Sequence, residues 1–180
     1  AHATAKGSTL PPFLTVETTD GKPLKRISFF LDGVPEWPAE LRFKVLDLKK
    51  DDRPLIVAVE ASVGGSTINY ETTIIGCDKG NISEVIPAHI KSASLDALCL
   101  ESTNNHVEPR LIFFNFLWED EIHYAPHRYE ATVYEWTGTN FVKTGTKQTK
   151  KKHEHWQGAV EELGLSCRED LITATNPAYE

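Results

Sequence analysis

The sequence contains no methionine at any of its 180 positions. Cysteine is scarce, with three residues at Cys77, Cys99 and Cys167. None of these is spaced C-x-x-C, which argues against a zinc knuckle or a thioredoxin-type site. No run approaches the roughly 20 apolar residues that a membrane-spanning helix needs. Positive charge is in deficit: Lys+Arg is 19 against an Asp+Glu of 26, a net charge of −7. A general nucleic-acid binder carries the opposite balance. Nucleophile signatures are missing too, since no G-x-S-x-G elbow occurs. Gly64-Gly65-Ser66 reads as a turn rather than a phosphate cradle, because no helix start follows it. What is present is ordinary for a globular chain: 40% hydrophobic and 25% charged residues in a length typical of one domain.

The chain starts Ala1-His2-Ala3-Thr4, small residues of the kind left by signal-peptidase cleavage or by other trimming. Residues 1–12 are expected to be a flexible leader, 13–174 a single β-rich domain and 175–180 a flexible tail. Export would place the cysteines in an oxidising compartment. There Cys77–Cys99 is the expected bridge, since both lie at the ends of apolar strand-like runs. Cys167 is able to replace either partner, and three free thiols are the alternative.

Period-2 alternation and short β-branched or aromatic runs dominate the pattern. They predict strands at Leu14–Glu17, Lys25–Leu31, Leu41–Leu48, Leu55–Ala61, Thr67–Gly76 and Ile82–Pro87. Four more follow at Ala97–Leu100, Arg110–Leu117, Tyr129–Trp136 and Asn140–Thr146. Turn residues separate them, including Asp20-Gly21, Asp32-Gly33, Asp78-Lys79-Gly80-Asn81 and the hairpin loop Thr137-Gly138-Thr139-Asn140. Leu111–Leu117 barely alternates, so it should be central and buried on both faces. One helix is predicted over His153–Leu163, with Trp156, Ala159, Val160 and Leu163 as its apolar stripe and Gly164 as its stop. Short helices at Ser92–Leu98 and near Arg168–Thr173 are further options. The expected fold is mainly β. It consists of antiparallel sheets in a meander, small sandwich or open barrel or propeller-like arrangement, with one C-terminal amphipathic helix.

The segment from Phe43 to Val57, with Asp47, Asp51, Asp52 and Pro54, resembles the FG-GAP/VCBS-type β-hairpin of secreted and integrin-like propeller proteins. That resemblance implies a strand, an Asp-rich loop and a returning apolar strand in a secreted β protein. The family's loop often binds Ca²⁺ through carboxylates, and Asp47 and Asp51 match its first and fifth positions. Lys49 stands at the third position and Leu55 at the ninth, where the family has ligands.

The most unusual stretch is Trp118 to Tyr129. It packs Glu119, Asp120, Glu121, His123, Tyr124, His127 and Arg128 into the connection between two predicted strands, where function tends to sit. His123, His127 and Glu121 offer nitrogen and oxygen ligands for Zn or Cu. Pro126 breaks the helix that a zincin motif requires. A second candidate surface is the lysine strip Lys143, Lys147, Lys150, Lys151 and Lys152, with Trp136 and Phe141 nearby. Its alternative reading is a protected strand edge. The charge separation from the acidic remainder would favour an acidic partner or self-association. Asn81-Ile82-Ser83 is a glycosylation sequon if the chain passes through a eukaryotic secretory pathway.

These observations lead to one expected function. The protein is a secreted or periplasmic, non-catalytic binding or structural module acting through protein or glycan contacts. Its candidate binding residues are Trp118, His123, Tyr124, His127, Arg128, Tyr129, Trp136, Lys147 and Lys150. No cofactor is expected. The alternatives are a metal protein using His123, His127 and Glu121, and a small hydrolase.

Overall fold

The computed structural model describes residues 2–4, 13–17, 20–28, 40–48, 53–64, 67–78, 81–86, 90–93, 97–101, 109–119, 122 and 125–168. These form antiparallel sheets and one C-terminal helix, and none of the sheets closes into a barrel. β1 (His2–Thr4), β2 (Phe13–Glu17) and β3 (Pro23–Ser28) make the first sheet. Residues 2–4 pair with β2, and the rest of the 1–12 segment lies outside the described residues.

The second sheet is a meander of β4 (Glu40–Leu48), β5 (Arg53–Gly64), β6 (Thr67–Asp78) and β7 (Asn81–Glu84). β8 (Ile90–Ser92) pairs with β6 further along the edge that β7 occupies. The β4–β5 hairpin spans the segment that carries the FG-GAP/VCBS resemblance. Its loop, with Lys49, Asp51 and Asp52, lies outside the described residues.

The third sheet holds the best-defined core. β9 (Leu98–Glu101), β10 (Arg110–Leu117), β11 (Arg128–Trp136), β12 (Phe141–Gln148) and β13 (Cys167–Arg168) run in the order β12-β11-β10-β9-β13. β10 is central, as the apolar run Leu111–Phe114 requires, although Asn115, Phe116 and Leu117 beyond it are only half-buried. Leu111, Ile112, Phe113 and Phe114 are all buried. Each such side chain contributes about 2 kcal/mol of burial. Alternation divides them between two cores. Leu111 and Phe113 meet Ile74, Val85, Ile86, Ile90, Leu98, Trp136 and Phe141, so this face packs on the second sheet. Ile112 and Phe114 meet Cys99, Tyr129, Ala131, Val133, Trp156 and Ala159. This second face is covered by α1 (Trp156–Leu163).

The helix starts at Trp156 rather than His153, and its buried residues are Trp156 and Ala159. Trp156 stacks on Phe114 with ring centroids 5.1 Å apart. Gly164 ends the helix in the left-handed conformation at φ 62°, which suits glycine. The predicted Thr137–Asn140 hairpin loop is present, closed by Thr137 N–H donating to Asn140 O at 2.9 Å.

The cysteine pairing differs from expectation. The bridge joins Cys99 to Cys167, not Cys77 to Cys99. Cys77 lies in β6, opposite Ile82 of β7. Cys167 lies in β13, which docks beside β9 and brings the two sulfurs together on the helix-covered face. Glu101, almost fully buried, fastens the same junction. It accepts from Ser166 N–H at 3.2 Å and pairs with Arg110 at 2.7 Å. Arg110 also reaches Glu135 at 3.1 Å, so one ionic row crosses β11, β10 and β9. The suggested short helix at 92–98 is not formed at its ends. Ser92 closes β8, Leu98 opens β9, and 94–96 lie outside the described residues. Arg168, suggested as a helical turn, is in β13.

Candidate functional site

The end of the third sheet nearest the β10–β11 connection gathers four of the nine candidate binding residues, Trp118, His127, Arg128 and Tyr129. Phe114, Phe116 and Trp118 are two apart, and the first two share the helix-covered face. Phe116 is opposite Tyr129 and Leu117 opposite Arg128 in the ladder. Beyond the ladder, the rings of Phe116, Trp118 and His127 close on one another. Phe116 lies 4.4 Å from the His127 ring and 5.3 Å from Tyr129. Trp118 stands edge-on to both Phe116, at 5.4 Å, and His127, at 5.1 Å. Edge-on and tilted aromatic contacts at these separations are favourable beyond simple burial. The stack runs outward: Tyr129 is 2% exposed, His127 1% and Trp118 52%.

A second segment holds the stack in place. His127 and His153 form a two-way backbone bridge, with N–H to O distances of 3.0 and 2.8 Å. Tyr129 N–H donates to Thr149 Oγ1 and Thr149 N–H donates to Tyr129 O, both at 2.9 Å. Arg128 bends across this junction. Its Nε donates to Thr149 O at 2.8 Å and its Nη1 to Glu119 at 3.1 Å. Lys152 approaches the other Glu119 oxygen at 3.6 Å. A half-exposed carboxylate thus sits between two cations beside the indole. Pairs of this exposure add little stability, so their main effect is to hold each other in place.

The 149–153 segment is tied to α1 by Glu162. Its carboxylate accepts from Lys150 N–H at 2.6 Å and Lys151 N–H at 3.4 Å, and meets His153 Nε2 at 2.6 Å. The Lys150 hydrogen bond, with the His153 contact behind it, holds the Glu162 carboxyl below its ordinary value. The His153 ring lies against Gly158, where a Cβ would meet Nδ1 at 2.6 Å. Glycine at this helical position leaves room for the imidazole.

Of the expected binding residues, Trp118, His127, Arg128 and Tyr129 come together. His127 and Tyr129 are the buried backing of the surface rather than the surface itself. His123, Tyr124 and Glu121 lie outside the described residues, so the expected metal trio does too. Among the described residues no group of three or more His, Cys, Asp or Glu is placed to hold a metal.

Trp136 does not belong to this surface. It is 8% exposed in the opposite core and packs against Phe141 at 4.9 Å. Its strand parity, shared with Tyr134, turns it toward the second sheet. The lysine strip is split as well. A bulge opposite Val133/Tyr134 pairs Lys143 with Tyr134 but Lys147 with Ala131, which face opposite cores. Lys147 Nζ reaches Leu163 O at 3.5 Å, whereas Lys150 is exposed at the end of the segment.

Phe116, Thr149, Lys152 and Glu162 complete the site. Phe116 was legible in principle from its two-residue spacing to Trp118. The other three depend on pairing between distant segments. The exposed Ile122 adjoins the stack in sequence, in a turn closed by Ala125 N–H to Ile122 O at 2.9 Å. Chemically the surface offers one aromatic platform, a carboxylate acceptor and two cationic donors. No family model, curated protein or solved structure matches this chain.

Proposed function

We propose that the protein is an exported, non-catalytic binding module whose working surface is the Trp118 rim. The observation that carries this reading is a half-exposed indole fixed by the half-buried Phe116 and the buried His127. A large hydrophobic side chain left in solvent forgoes about 2 kcal/mol of burial. Here that exposure is built on a rigid stack and ringed by Glu119, Arg128 and Lys152. Rigid aromatic anchors of this type are favoured at binding surfaces because little side-chain entropy is lost on contact. The Cys99–Cys167 bridge supports export, since such bonds persist in oxidising compartments. The resemblance at residues 43–57 to a hairpin of secreted β proteins points the same way. No helix among the described residues is long and apolar enough to cross a membrane.

The test is retention from extracts of the native source on immobilised wild type and Trp118→Ala, with both saccharide and protein identified by mass. The expected result is material held by the wild type and released by the variant, whose melting temperature is unchanged. Equal retention by the two proteins would contradict the reading.

A further inference from the structure

Apart from the Trp118 rim, we propose that the outer edge of β12 receives a strand from a partner protein, an extended segment that carries carboxylates. β12 ends the row β12-β11-β10-β9-β13, and no described strand lies on its far side. Antiparallel pairing turns successive N–H and C=O groups alternately toward the neighbour and away from it. The phase is fixed at both ends of β12. Thr137 N–H donates to Asn140 O and Thr149 N–H donates to Tyr129 O, so residues 140 and 149 face β11. Counting inward, with the extra residue at the bulge opposite Val133, the outward groups belong to Phe141, Lys143, Thr146 and Gln148. Phe141 already uses its own: its N–H donates to Val85 O, just past β7, at 2.8 Å. The edge thus holds one main-chain partner at its start. From Lys143 to Gln148 it continues open among the described residues, with exposed side chains around it. An edge of this kind pairs with an extended backbone.

The charge on the edge selects the partner. β12 carries Lys143 and Lys147 and no acid. The two acids of β11 nearest to it are engaged: Glu130 accepts from Gln148 at 3.0 Å and Glu135 pairs with Arg110 at 3.1 Å. Among the described residues neither lysine meets a carboxylate, and Lys147 Nζ reaches only Leu163 O at 3.5 Å. The bulge puts the two lysines on opposite faces of the sheet, since Lys143 pairs with Tyr134 and Lys147 with Ala131. Those partners are three positions apart on β11. An added strand with the same spacing would carry acids three positions apart, one for each face.

This division also separates the possible occupants. A polyanion lying on either face meets one of the two lysines, whereas a strand along the edge meets both. Val142, 48% exposed, offers an apolar contact that a polyanion leaves unused. A second copy of β12 would set the lysines of both chains along one seam, the usual guard against self-pairing. The same lysines that repel a copy attract an acidic strand.

The probe is a synthetic Thr/Val peptide of strand length with two Glu three positions apart. Its control carries Lys in their place. Backbone amide resonances and hydrogen exchange of the full chain are followed as each is added. The Glu peptide should slow exchange at the amides of Lys143, Thr146 and Gln148, and the Lys peptide should not. Lys143→Ala and Lys147→Ala together should weaken binding about fivefold, as two exposed ion pairs would. Lys143→Glu with Lys147→Glu should pass the preference to the Lys peptide. Thr146→Pro removes an outward N–H, leaves the β11 ladder in place and should weaken binding at unchanged melting temperature.

Equal binding of the two peptides would overturn the proposal, as would no protection on β12 at about 1 mM Glu peptide. A heparin hexasaccharide that shifts β12 where the peptide does not would give the lysines to a polyanion instead. A molar mass that doubles with concentration in the wild type and not in Thr146→Pro would give the edge to a second copy. Either result would also overturn it.

Discussion

Replacing Cys167 by alanine removes the covalent link while disturbing the core little. Cys167 is half-buried at the end of the third sheet, and Cys99, which stays, is fully buried among apolar neighbours. A free buried thiol behaves as a small hydrophobe, so the variant reports mainly on the cross-link. The bridge joins residues separated by 68 positions. Closing a loop of that length stabilises by roughly 4 kcal/mol in the chain-entropy model. This is a large part of the roughly 5–15 kcal/mol that holds a domain folded. β13 is two residues long, and among the described residues its ladder to β9, Ser166 N–H to Glu101 and the packing of Leu165 and Cys167 are what hold it beside the bridge. Urea denaturation of the oxidised wild type, the reduced wild type and Cys167→Ala is the assay, with peptide mass mapping of the oxidised sample. The reduced protein and the variant should share one curve, roughly 4 kcal/mol below the oxidised protein. A loss under about 1 kcal/mol, or a mapped Cys77–Cys99 bridge, would refute the reasoning.

Three further outcomes follow from the packing around α1. Trp156→Ala should cost about 3–5 kcal/mol in urea unfolding, whereas Trp156→Phe should cost far less, because the buried indole N–H makes no hydrogen bond among the described residues; equal losses would contradict the packing. Gly158→Ala should destabilise, although alanine gains about 1 kcal/mol of helix propensity, because the new Cβ meets the His153 ring. Adding His153→Ala should restore that gain relative to His153→Ala alone, and a double variant no more stable than the single one would argue against the clash. Glu162 is held below its ordinary pKa, so its contribution is complete above the unfolded carboxyl range and is lost as pH falls through the folded value. The urea midpoints of wild type and Glu162→Gln should therefore differ near neutral pH and converge in acid. A gap that persists in acid would show that ionisation is not the source.

The parts of this fold visible in the sequence are those set by local rules. β10 was legible because Leu111 to Phe114 are apolar without alternation, which only a strand covered on both faces tolerates. The helix was legible from the spacing of Trp156, Ala159, Val160 and Leu163, and its end from Gly164. Pairing between distant segments was not. β13 is too short to carry a period, so nothing near Cys167 announces that Cys99 lies beside it. Trp136 was misread because the lysines that follow it suggested a wet surface. Its parity with Tyr134 sends it into the core, while the bulge divides the lysines themselves. At the site, Trp118, His127 and Arg128 were visible as an unusual local composition. Glu162 was not, because its partners Lys150, Lys151 and His153 lie on a separate segment that reaches α1 only in the folded chain.

The central claim is that ligand meets the protein at Trp118. The chain has four tryptophans, and so four indole N–H groups to follow by resonance. Following these resonances while the material retained on the immobilised wild type is added tests the claim most directly. The Trp118 signal should move in proportion to saturation, while those of Trp136 and Trp156, buried in the two cores, stay where they are. A Trp118 signal that stays fixed while other resonances shift would place binding elsewhere and contradict the account.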